Sequence, residues 1–185
     1  MSLASAYDIL RNNLKLDVGR FYGAHEHLSL GAGLIYDGIR FPAYIEEDDA
    51  FVTLQGLVYV LSHECDAADE NQRAFNDDVL VSPIIKFEEF YSHLVASYDA
   101  SNQASFLGHL AARNISRLMY FPPLPPEIPY GGVIFLNQIT HTKVSQFTRE
   151  RAKRVGALSQ FGLREFDFFL TRHLLRPKDE LLSLH

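Results

Sequence analysis

Two apolar runs, GLVYVLS (56–62) and VLVSPII (79–85), stand on either side of a polar segment, DAADENQRAFNDD (66–78). Each run is short and rich in β-branched residues, which suits a strand better than a helix. No polar residue interrupts LVYVL, so a strand made from it buries both faces rather than one. That condition constrains the fold more than any other feature of the chain. Other parts of the sequence must supply a layer on each side of that strand. A chain of 185 residues is long enough to do so within one domain, and a single domain spanning 1–185 is expected.

The remaining elements follow from spacing. Residues 3–14 place Leu3, Tyr7, Leu10 and Leu14 at helical intervals behind Ser2 as an N-cap. From Val18 the pattern becomes strand-like and is broken repeatedly by glycine. Barrel-forming strands are expected over about 18–85 and 115–140. Between them, Phe87, Phe90, Tyr91, Leu94, Val95 and Tyr98 mark a helical face within 87–112, which SNQAS and Gly108 divide or weaken. ISRLMYF (115–121) and GVIFLNQIT (132–140) read as strands joined by PPLPPEIPYG, whose five prolines make a stiff loop rather than a tight hairpin.

A last helix is expected at 159–176, with Ser159 as its cap and Leu163, Phe166, Leu170 and Leu174 as its stripe. Phe161, Phe168 and Phe169 broaden that stripe. A helix so apolar either covers the sheet of its own chain or meets a second copy. Strands and helices do not alternate, so the expected class is α+β: a small, barrel-like antiparallel sheet with peripheral and C-terminal helices.

Composition narrows the setting. One cysteine cannot form an internal disulfide. The N-terminus lacks a basic start followed by an apolar run, and no stretch approaches the roughly 20 apolar residues of a membrane span. A cytoplasmic protein with no membrane association is expected. Residues 1–100 carry 6 Lys and Arg against 17 Asp and Glu, whereas 101–185 carry 11 against 6. Lys143, Arg149, Arg151, Lys153, Arg154 and Arg164 therefore offer a basic face. Arg149, Arg151, Lys153 and Arg154 are its candidate nucleic-acid contacts, to RNA or DNA. The alternative is a solvated face, and a pI near 5.7 disfavours strong non-specific binding.

The end of the first apolar run carries the residues with most chemistry. In strand geometry His63 and Cys65 share a face, and a neighbouring histidine favours the thiolate. Asp66 then stands ready to orient either. His63, Cys65 and Asp66 are the catalytic candidates, although a lone cysteine is as readily a small buried residue. His25-Glu26-His27 repeats the one-residue spacing, so His25, His27, His63 and Cys65 form a conceivable zinc set on two adjacent strands. Without that zinc no cofactor is implied. The phosphate-binding, dinucleotide, nucleophile-elbow and H-E-x-x-H patterns are all missing from the sequence.

The two apolar strands and their intervening loop resemble the PemK/MazF family of toxin endoribonucleases. Members carry a strand of the type RPVLVLS, a loop, and a strand like VVVAPIT. GLVYVLS (56–62) and VLVSPII (79–85) match these over about 50 residues. The resemblance implies a small SH3-like barrel whose 66–78 loop borders the binding face. In the family an arginine at the start of the first strand and a Ser or Thr at the second carry RNA cleavage. Gly56, with Gln55 beside it, and Asp78 or Ser82 stand there instead. The chain is also similar to bacterial proteins with an S-x-x-C-D segment after such a strand, here Ser62, Cys65 and Asp66. The expectation is a diverged barrel acting as a binding or assembly module in a bacterial toxin–antitoxin or phage-defence setting, with a protein partner or a second copy of itself. The alternative is an enzyme, a nuclease or a Cys/His-dependent hydrolase, working at 62–66.

Overall fold

The computed structural model describes residues 1–45, 49–64 and 77–175. Among them are five α-helices, α1 (Leu3–Asn13), α2 (Val18–Phe21), α3 (Phe87–Ser97), α4 (Ala100–Ala111) and α5 (Gln160–Leu174). Eight strands accompany them: β1 (Tyr22–Gly23), β2 (Leu34–Ile45), β3 (Ala50–Val60), β4 (Asp78–Lys86), β5 (Leu118–Phe121), β6 (Gly132–Phe135), β7 (Thr140–Lys143) and β8 (Lys153–Leu158). The strands form one antiparallel sheet in the order β1-β8-β2-β3-β4-β6-β5, with β7 also on β4. The class is α+β.

Burial on both faces of β3 is the organising feature. Val58 and Val60 point into one core with Tyr36, Ile39, Phe41, Val79 and Val81. Leu57 and Tyr59 point into a second, with Phe121, Ile134, Phe166 and Phe169. A third core holds α1, α3 and α4 on Leu118, Tyr120 and Val133. The apolar run therefore sits at the junction of two layers, which accounts for its lack of alternation.

β7 approaches the second half of β2 without a backbone ladder among the described residues. The buried Thr142 hydroxyl donates to the Arg40 carbonyl at 2.6 Å, and that of Thr140 donates to the Pro42 carbonyl at 3.1 Å. These bonds satisfy hydroxyls that burial would otherwise penalise, and they tie the two ends of the β2-β3-β4-β7 strip together.

Several expectations need correction. Strand structure does not begin at Val18: a helical turn and the two-residue β1 come first, and residues 24–33 form a loop. GVIFLNQIT is two elements, β6 and the start of β7, pairing with different halves of β4. The 87–112 helical region breaks at Tyr98–Asp99, where Asp99 caps Asn102 N at 2.9 Å, while SNQAS lies inside α4. β8, at 153–158, lies outside both expected strand regions. In α5, Ser159 caps Gly162 N at 3.1 Å as expected. The buried face, however, is Gly162, Phe166 and Phe169 with Leu163 and Leu170 partly buried, and Leu174 is exposed. The helix docks on its own chain through that face. No helix among the described residues is long and apolar enough to cross a membrane.

Candidate functional site: an arginine cleft

The basic run that sequence assigned to one face is divided by the structure. Arg154, in β8, turns inward to the loop before β2. Its Nη1 donates to the carbonyls of His25 and Leu28 at 2.8 and 2.7 Å, while Nε and Nη2 donate to the Tyr36 hydroxyl at 3.0 and 2.8 Å. A guanidinium with its donors so occupied is a structural clamp rather than a phosphate ligand. Lys153, on the opposite face of β8, binds Glu127 at 2.7 Å. That hydrogen bond holds the Glu127 carboxyl below the usual carboxylate range and raises the pKa of Lys153. Lys143 pairs with Asp78 at 3.0 Å.

Arg149 and Arg151 are left on the surface, where they meet residues from two strands. With Gly38, Arg40, Gln55, Gln146 and Glu150 they line a cleft of about 240 Å³. Its floor is built by β2 and β3, whose register pairs Arg40 directly with Gln55, and Arg40 Nε reaches Gln55 Oε1 at 3.5 Å. Its wall is the turn after β7, a 3₁₀ segment at Val144–Gln146 followed by bonded turns to Ala152. Val144, Phe147 and Ala152 pack into the core beneath, so the polar residues between them face solvent.

Gly38 sets how closely wall and floor approach. It lies at a shift in the β2–β3 register with φ of 77°, and a Cβ there would run into the Arg151 carbonyl oxygen. Both the backbone angle and the space require glycine. None of Arg40, Arg149 and Arg151 has a carboxylate within ion-pair distance among the described residues. With Glu150 the only acidic residue in the lining among the described residues, the cleft they form is net positive and its chemistry is the recognition of anions. Beyond Arg40 and Gln55 the same outer face of the β2–β3 ribbon continues to Tyr44 and Phe51. These are cross-strand partners with ring centroids 5.3 Å apart, and Phe51 is 79% exposed.

Of the other sequence candidates, Cys65 and Asp66 lie outside the described residues. β3 ends at Val60, and Ser62 is already in a bend whose hydroxyl accepts from Leu80 N at 2.9 Å. His63 is therefore not on a strand. His25 and His27 sit in or beside a turn rather than on a strand, and Arg154 binds the carbonyls of His25 and Leu28 there. Among the described residues, no three His, Cys, Asp or Glu side chains gather as a metal site would need. Ser82 is fully buried, its hydroxyl without a partner among the described residues, and so is out of reach of a substrate. Arg40, Gln55 and Gln146 were missed because they lie far apart in sequence. The one local signal was the glycine beside Arg40's strand bulge. Compared with known families and with curated proteins, the chain matches no family model and no curated sequence.

Proposed function

We propose that the chain is a diverged PemK/MazF-like barrel that works as a binding module rather than as a ribonuclease, in a bacterial toxin–antitoxin or phage-defence system. Its ligand is a single nucleic-acid strand, with phosphates on Arg40, Arg149 and Arg151. The observation that carries this reading is the convergence of those three guanidiniums, without ion-pair partners among the described residues, beside an outward aromatic pair on the same ribbon. Arginines supply the backbone contacts and exposed rings give bases a stacking surface, the combination that holds single strands without reading their sequence.

Barrel closure is supported by the Thr140 and Thr142 bonds to β2 around a shared apolar core. The family likeness rests on the two strand sequences; where the family has its strand-start arginine this chain has Gly56, which pairs with Ile39 across the ladder. A buried Ser82 and an Asp78 paired with Lys143 favour binding without cleavage.

Fluorescence anisotropy of a labelled single-stranded oligonucleotide tests the reading. Replacing Arg40, Arg149 and Arg151 together with Gln should lower the affinity strongly, and Phe51→Ala should weaken it by about 1–3 kcal/mol, the usual value of one stacked base. Absence of binding by the unaltered protein at low salt would overturn it.

A further inference from the structure

A second cavity, of about 260 Å³, opens on the helical side of the sheet between α3, α4 and the strands β4 to β6. Four aromatic rings shape it. Tyr98 and Phe106 stack at 6.1 Å and 28°, Phe90 lies 6.0 Å from Phe106, and Phe135 lies 6.2 Å from Phe90. The corner that leaves it open is fixed. The buried Gln103 side chain donates from Nε2 to the Tyr98 carbonyl at 2.6 Å, and Asp99 caps the start of α4. A site held open in this way loses little conformational freedom when a ligand enters.

Its polar groups are few. Arg117, just before β5, lines the cavity, and its guanidinium makes no hydrogen bond or ion pair among the described residues. Glu89, His93 and Ser97 also line it. Apolar walls with a small number of orienting polar groups are the usual form of a small-molecule site. The flat rings select a flat apolar body, and a lone guanidinium selects a carboxylate, which it can hold through two parallel bonds. Glu89 in the same lining opposes a second negative charge.

We propose that this cavity binds a small aromatic monocarboxylate, its ring among Phe90, Tyr98, Phe106 and Phe135 and its carboxylate on Arg117. The site is independent of the arginine cleft and goes beyond the nucleic-acid reading. A ligand here would bear on α3, α4 and their shared core with α1.

The chain contains no tryptophan, so the fluorescence anisotropy of indole-3-acetate reports binding to the full protein without an indole background. The expected result is saturable one-to-one binding, about tenfold weaker for the neutral indole-3-ethanol and about tenfold weaker for Arg117→Gln. Tyr98→Ala should weaken it similarly. Both replaced side chains are exposed, and unchanged melting of the variants shows that the fold is kept. No saturable binding, equal affinity for acid and alcohol, or an Arg117→Gln variant that binds as the original does would each overturn the proposal.

Discussion

Replacing Phe166 with alanine tests whether α5 is part of the core. Phe166 is 2% exposed, with its ring centroid 4.3 Å from that of Tyr59 and 6.2 Å from that of Phe121. Tyr59 belongs to the strand that buries both faces, so the deletion opens a void against the centre of the sheet. Phe→Ala changes in such positions cost about 3–5 kcal/mol, set against roughly 5–15 kcal/mol for a whole domain. In urea, with a slope of about 1–3 kcal/mol/M, the midpoint should fall by about 2 M. Phe168, two residues on and 60% exposed, supplies the control, since Phe168→Ala should change stability by no more than about 0.5 kcal/mol. Equal losses for the two variants, or a Phe166→Ala loss below about 1 kcal/mol, would refute the docking of α5.

Three further outcomes follow from the same contacts. Truncation at Ser159 removes the cover of Tyr59 and Phe121 and should leave residues 1–158 without a cooperative melting transition; a sharp transition in that fragment would contradict it. Arg154→Met removes four charged hydrogen bonds and should cost at least about 1.5–3 kcal/mol in denaturant melts, with oligonucleotide affinity unchanged. Lys153 depresses the pKa of Glu127 chiefly through its hydrogen bond. Its contribution is therefore full above the carboxyl's unfolded pKa and disappears as pH falls through the folded value. Glu127→Gln should remove that part of the acid limb in a pH series of urea midpoints.

The parts of this fold that sequence displayed are those decided locally. Ser159 and Ser2 cap helices because a side-chain oxygen three residues before a free amide suffices. The uninterrupted LVYVL announced burial on both faces because any two-layer fold requires it. What sequence concealed was decided at long range. His25-Glu26-His27 has the alternation of a strand, yet a guanidinium 126 to 129 residues away holds the carbonyls at either end of a turn. KRVGAL appeared as part of a charged run because its two leading cations hide a strand whose last four residues, 155–158, are all buried. Its two cations, adjacent in sequence, face opposite ways as β-strand geometry demands. The cleft was half legible: Arg149 and Arg151 stood out by charge, whereas Arg40 and Gln55 joined them only through the β2–β3 register.

The salt dependence of oligonucleotide binding tests the central claim most directly. For a single strand, the slope of log affinity against log salt is roughly −0.7 for each phosphate neutralised. Three arginines in the cleft predict a slope near −2 for the protein and a slope close to zero, at much lower affinity, when Arg40, Arg149 and Arg151 are all changed to Gln. A flat response in the unaltered protein, or a steep one that survives the triple replacement, would contradict the assignment of that cleft to a nucleic-acid strand.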